Sequence, residues 1–244
     1  MNLKKELMAG VAALTMATPV LAQPPVPFSW TGFYAGGNIG YSWGHGAPTY
    51  NEPAFGGTIP TTITGSNQLN NAIGGAQVGY NWQTGAWLWG LETDLQIADE
   101  KGSQNFSYPY DSEGAVLGQL NSKIEWFGTA RARVGWLVTP ATLIYATGGL
   151  AYGRVNVGGQ FTDTGCTPAC MWSFNQSSVN VGWTVGTGFE AVLAPNLTWK
   201  VEYLYVDLGS LNGNGYDNDF GGVYTYNAHF TDNILRFGLN WYFH

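Results

Sequence analysis

The sequence predicts an all-β fold: an eight-stranded antiparallel up-and-down transmembrane β-barrel with short periplasmic turns and four long extracellular loops. Three observations predict it. First, large apolar residues recur at every second position. In the terminal LRFGLNWYFH, Leu235, Phe237, Leu239, Trp241 and Phe243 alternate with Arg236, Gly238, Asn240, Tyr242 and His244. Period two marks a strand with two unlike faces. Second, the 244 residues include 35 Gly, 15% aromatic and only 10% charged residues, at a mean hydropathy of −0.08. The usual charged share is ~25%. Third, short and long connections alternate along the chain. Transmembrane barrels have short periplasmic turns and long external loops, whereas soluble sandwiches mix loop lengths.

Residues 1–22 read as a secretory signal. Lys4 and Lys5 precede an apolar stretch from Leu7 to Met16, and Val20-Leu21-Ala22 fits small-x-small cleavage. Residues 23–30, QPPVPFSW, form a Pro-rich lead-in, and 31–244 the barrel. Without the signal the chain has 7 basic and 15 acidic residues, a net charge of −8. That balance argues against nucleic acid as a partner. No later stretch approaches the ~18 apolar residues of a transmembrane helix.

Eight alternating segments follow, at 32–43, 71–82, 87–98, 122–138, 141–155, 179–193, 197–207 and from Asn233 on. Each is long enough for the ~9–11 residues that a tilted strand needs to cross a bilayer. Gln83-Thr84-Gly85-Ala86, Thr139-Pro140 and Ala194-Pro195-Asn196 are the short connections. The long ones, at 44–70, 99–121, 156–178 and 208–232, are rich in Gly, Asn, Thr and Ser.

Parity assigns the faces. Trp87, Trp89, Leu91, Leu95, Ile97, Ile124, Trp126, Ala130, Ala132, Val134, Trp183, Trp199 and Val201 fall outward, with no charge among them. An outward Arg or Lys at the midplane would cost ~2–4 kcal/mol. The lumen receives Glu92, Asp94, Lys123, Glu125, Arg131, Arg133, Arg154, Glu190, Lys200, Glu202 and Arg236. Pairing Leu193 with Leu197 across the third short turn sets Glu190 opposite Lys200, and Glu202 similarly matches Arg236. Opposite charges on neighbouring strands are expected to compensate one another in the lumen. Trp82, Trp87, Trp136, Trp199, Trp241 and Phe243 near the short turns, and Tyr41, Trp43 and Tyr205 near the long loops, are expected to form two interfacial girdles.

Cys166 and Cys170, in CTPAC, are expected to form a local disulfide in an oxidising compartment; two free thiols are the alternative. His45 and His229 fall in the long loops and His244 at the end. No His-x-Ser pair is present; His229-Phe230-Thr231 comes nearest. The stretch YDND, 216–219, is read as a solvated acidic loop in preference to a Ca²⁺ site. No catalytic residue, cofactor or metal site is expected.

From about residue 28 to the end, the chain resembles the small outer-membrane β-barrel family of Gram-negative bacteria, of the OmpA-like and immunogenic surface-protein type. The resemblance rests on TGFYAGGNIGY, LIYATGGLAYG, WTVGTGFE and RFGLNWYF. It implies cleavage of the signal and residence in the outer membrane. The ending also looks like the signal read by the barrel-assembly machinery, through Arg236, Gly238, Trp241 and Phe243. The expected function is non-enzymatic: a monomeric surface protein contributing to outer-membrane integrity, in contact with outer-membrane lipids and lipopolysaccharide, and presenting loops to an unidentified external ligand. The alternatives are a narrow porin-like diffusion channel and a lipid-A-modifying or proteolytic enzyme.

Overall fold

In a computed structural model, residues 28–51, 62–109, 114–217 and 222–243 are described. The expected signal, most of the lead-in, the YDND side chains and His244 lie outside the described residues.

Among the described residues, nine strands make one antiparallel sheet: β1 (Gly32–Asn51), β2 (Thr62–Thr64), β3 (Asn67–Thr84), β4 (Trp87–Pro109), β5 (Ala115–Thr139), β6 (Thr142–Asp163), β7 (Cys170–Ala194), β8 (Leu197–Asp217) and β9 (Gly222–Phe243). Each long strand pairs with the next, and β1 also pairs with β9 from Phe33↔Phe243 to Asn51↔Thr225. The ring of β1 and β3–β9 therefore closes without an edge, which a membrane requires of a sheet. Eight strands were expected. The ninth, β2, pairs only with β1, through Thr49↔Thr64 to Asn51↔Thr62. Its three residues are too few to show alternation.

Two-residue turns join β3 to β4, β5 to β6 and β7 to β8, closed by Thr84↔Trp87, Thr139↔Thr142 and Ala194↔Leu197. Gly85 has φ +62° in the first of them, a conformation that disfavours any side chain.

The expected long loops need correction. Most described residues of 44–70, 99–121, 156–178 and 208–232 are strand. At ~3.3 Å per residue and ~40° tilt, strands of 18 to 25 residues make a wall roughly 45–65 Å tall. The hydrocarbon core is only ~30 Å thick. The sequence pattern explains the misreading, because it inverts along each strand. On β6, Ile144 and Leu150 point outward and Thr147 inward; further along, Arg154, Asn156 and Gln160 point outward while Val155, Val157 and Phe161 are buried inside. The lower wall is apolar outside, as lipid demands. The upper wall is polar outside, as water demands, and its Gly, Asn, Thr and Ser resemble loop composition.

Bulges occur near the level of the inversion. The β4–β5 register shifts between Ile97 and Glu100, β5–β6 between Ile124 and Trp126, and β8–β9 between Asp207 and Gly209, where Gly209 takes φ +70°. The β5 bulge reverses parity. Ile124, expected on the lipid face, is therefore buried in the lumen, and Lys123 and Glu125, expected in the lumen, lie on the outer wall; Arg154, also expected in the lumen, lies outside by the unbroken parity that it shares on β6 with Ile144 and Leu150.

Candidate functional site

The lumen is filled in layers. At the short-turn mouth, Trp30, Tyr34, Leu88, Leu137, Leu143, Tyr145 and Tyr242 pack together with Phe28. The Trp30 indole N–H donates to the Pro140 carbonyl at 3.0 Å. Phe28 and Trp30 belong to the stretch read as a lead-in; they form part of the mouth packing. At the far end, Leu69, Leu120, Phe161, Leu211, Tyr226 and Phe230 belong to a second, larger apolar cluster.

Between these layers lie four cations and four carboxylates that pair with one another, all buried: Arg131, Arg133, Lys200 and Arg236 with Glu92, Asp94, Glu190 and Glu202. Glu100 and Asp232 are buried as well but outside this network, Asp232 accepting from the Ser42 hydroxyl at 2.6 Å. Lys200 Nζ donates to both oxygens of Glu92, at 3.0 and 2.9 Å. Arg131 donates to Glu92, to Asp94 at 3.0 Å and to Glu202 at 3.1 Å. Arg236 donates through Nε to Glu202 at 2.7 Å and through its terminal nitrogen to Asp94 at 2.8 Å. Arg133 donates to Glu190 at 2.7 Å and to the Tyr34 hydroxyl at 3.0 Å, and its guanidinium lies 3.9 Å from the Tyr145 ring centre. Tyr34 in turn donates to Glu92 at 2.7 Å, and Tyr145 to Glu202 at 3.0 Å. The layer sums to zero charge, which is the condition for burying so many ions together.

Glu190 and Lys200 are register partners, as the turn geometry predicts, and Glu202 is paired with Arg236. Arg236 with Glu202 and Arg131 with Glu92 keep the register in their ion pairing, whereas Lys200 and Glu190 do not. Lys200 reaches across the lumen to Glu92. Glu190 is held by Arg133, Thr198 Oγ1 at 2.6 Å and Asn240 Nδ2 at 2.9 Å. Tyr34, Tyr145, Thr198 and Asn240 were missed in the sequence, although each shares the inward parity of the charges. Of the terminal residues, Arg236 is in the charge layer, Gly238 lies beside Lys200, and Trp241 and Phe243 face outward.

Cys166 and Cys170 form a disulfide with a Cα–Cα distance of 5.5 Å, at the connection between β6 and β7. Among the described residues, no group of three or more His, Cys, Asp or Glu could hold a metal ion. On the outer wall, β8 and β9 bring Ser210 opposite His229. The Ser210 hydroxyl lies 3.0 Å from His229 Nδ1, and the Asp207 carboxylate 3.5 Å from Nε2. A search for His and Ser adjacent in sequence misses this group, because the pair is 19 residues apart and is assembled by strand register.

The family model for the outer membrane protein beta-barrel domain matches residues 9–243. The chain is 35% identical to the 31 kDa outer-membrane immunogenic protein of Brucella melitensis biotype 1, over 99% of this chain and all of that protein. It is 31% identical to the 22 kDa outer membrane protein of Rhizobium leguminosarum bv. viciae, over 86% of this chain and 77% of that protein. Among solved structures, Ail, the attachment invasion locus protein of Yersinia pestis, is a more distant likeness: 13% identity and TM-score 0.37, over 86% of this chain and 99% of that one. The chain belongs to the outer-membrane β-barrel domain family, and its place is the outer membrane of a Gram-negative bacterium.

Proposed function

We propose that this outer-membrane barrel is a non-enzymatic, non-conducting surface protein that contributes to the integrity of the membrane and carries its upper wall out to external partners. The observation that supports this best is the filled lumen: a neutral layer of eight buried charges between two apolar layers. A porin lumen is polar and water-filled. A monomer suffices, since the ring closes within one chain. Arg236, Gly238, Trp241 and Phe243 are proposed as the signal read by the barrel-assembly machinery, and outer-leaflet lipids and lipopolysaccharide as the constant neighbours. Single-channel recording in planar bilayers tests the reading. The expected result is no conductance steps; steady ohmic steps from the folded, heat-modifiable form would overturn it in favour of a diffusion channel.

One observation favours an enzymatic second reading. Ser210, His229 and Asp207 are arranged in the order of a hydrolytic triad, with the Ser210 hydroxyl within hydrogen-bond reach of Nδ1 and the Asp207 carboxylate on the Nε2 side of the ring. Labelling with a fluorophosphonate probe decides it: labelling abolished by Ser210→Ala would support a hydrolase, and no labelling would remove the reading.

A further inference from the structure

Of the described Lys and Arg residues, Arg131, Arg133, Lys200 and Arg236 fill the lumen. The other three, Lys101, Lys123 and Arg154, lie together on the outer wall of the adjacent strands β4, β5 and β6. For an acidic chain this is a marked segregation: every outward cation among the described residues is on one patch.

The height of the patch is as informative as its sign. Just below it, Ile97 is paired with Trp126 and is 74% exposed. Trp126 makes an edge contact with Tyr152, ring centres 6.4 Å apart. Outward aromatic and apolar side chains of this kind mark the end of the lipid zone. Lys101 and Lys123 begin one bulge further on, at headgroup level of the outer leaflet.

Lys101 and Lys123 are direct cross-strand partners, a destabilising arrangement for like charges unless an anion lies between them. Asp99 supplies one, at 3.0 Å from Lys101 and 3.1 Å from Lys123. The Lys101 ammonium, hydrogen-bonded to it, holds the Asp99 carboxyl below its usual range. Asp99 does this at φ +48°, the sole positive φ among non-glycine described residues, and such strain persists where the surroundings enforce it. Glu125 similarly links Lys123 at 3.5 Å to Arg154 at 3.4 Å. Three cations therefore share two exposed or half-exposed carboxylates. Lys123 and Glu125 open directly onto a groove of about 600 Å³ that runs over the wall and is lined further by Asn121, Asn156, Gln160, Ser173 and Asn175. Its amides and hydroxyl suit sugar hydroxyls rather than acyl chains.

We propose that this patch and groove bind the phosphorylated sugar headgroup of an outer-leaflet glycolipid, with Lys101, Lys123 and Arg154 on phosphate and the groove on the adjoining sugars. Charge-assisted bonds from ammonium and guanidinium to phosphate are the strong ones available at such a surface. The proposal names a partner site for the proposed surface barrel. It rests on the outer-membrane placement and is independent of whether the lumen conducts, so bilayer recording and lipid binding can fail separately.

The test uses the full chain folded in detergent, with fold checked by heat-modifiable mobility. The probe is purified deep-rough lipopolysaccharide bearing its lipid-A phosphates, beside the same material dephosphorylated and beside inorganic phosphate. The expected result is at least tenfold tighter binding of the phosphorylated form than the dephosphorylated one. Lys101→Gln, Lys123→Gln and Arg154→Gln combined should lose that preference, and Lys101→Arg with Lys123→Arg should keep it. Asp99→Asn, which removes the competing anion and tolerates the positive φ, should tighten binding severalfold. Inorganic phosphate at millimolar concentration should not displace the glycolipid. Equal binding by wild type and the folded triple Gln variant would overturn the proposal, as would equal binding of the dephosphorylated form or full displacement by phosphate.

Discussion

Replacing Lys200 by Met is the sharpest perturbation of the charge layer. Lys200 is fully buried and makes two bonds to Glu92, at 3.0 and 2.9 Å. Each charge-assisted bond contributes about 1.5–3 kcal/mol. Glu92 keeps two other donors, Arg131 and Tyr34, so its desolvation is not wholly uncompensated, but the layer is left with one excess negative charge. Removing one member of a buried pair typically costs about 3–5 kcal/mol, and that is the expected loss. The partner assignment gives a second, sharper expectation. Glu92→Gln combined with Lys200→Met should recover part of the loss. Glu190→Gln combined with Lys200→Met should not, although Glu190 is the register partner, because Glu190 is bound by Arg133, Thr198 and Asn240. Heat-modifiable gel mobility across a urea series, in one detergent, reads all four proteins. A loss below about 1 kcal/mol for Lys200→Met would mean a wet lumen and refute the dry-layer argument. Equal recovery by both double variants would refute the pairing.

Trp30→Ala removes the fully buried ring from the mouth cap and should cost about 3–5 kcal/mol in the same urea series, while bilayer recordings stay silent because the charge layer remains. Cys166→Ala opens a bridge of sequence separation 4, so global stability should fall by less than about 2 kcal/mol, with any change confined to proteolysis at the β6–β7 connection. Protease added to intact cells should cut between Asn51 and Thr62, between Pro109 and Ala115 or between Asp217 and Gly222, where strands end, and should spare the paired residues of the upper wall; cuts confined to the two-residue turns would reverse the orientation. Ala132→Lys, outward in the lipid zone, should cost about 2–4 kcal/mol in lipid vesicles, whereas Asn175→Lys on the upper wall should cost nothing measurable. Equal costs would misplace the bilayer.

Much of the ring was legible because a strand's period is two and a lipid solvent makes that period stark. The register of β7 on β8 followed from the Pro195-Asn196 turn. A bulge between Val192 and Ala194 shifts only the last pair and leaves Glu190 opposite Lys200. What failed, failed where parity is broken or distance is spatial. One extra residue at Glu125 moved Lys123 out of the lumen and Ile124 into it, whereas Arg154 on β6 keeps the outward parity of Ile144 and Leu150. The partner of Lys200 is 108 residues away in sequence, across the lumen, and no local rule reaches that far. Eight strands leave an interior only as wide as its side chains, so long cations meet carboxylates from opposite walls as well as from the neighbouring strand.

The inversion of hydropathy along each strand joins these observations. A barrel that ended at the membrane surface would need apolar residues on its outer face alone. Here the same strands continue into water, and there the apolar face turns inward, as Val155, Val157 and Phe161 do on β6. The upper wall thereby acquires a core of its own, which a polar lumen would not supply. The transition falls beside Lys101, Lys123 and Arg154, where the outer solvent changes from acyl chain to headgroup. The bulges at Ile97/Glu100 and Ile124/Trp126 lie at this level, and β5 changes parity there. The ionic lumen below and the apolar lumen above thus follow from one requirement, that each face of the wall match the medium beside it.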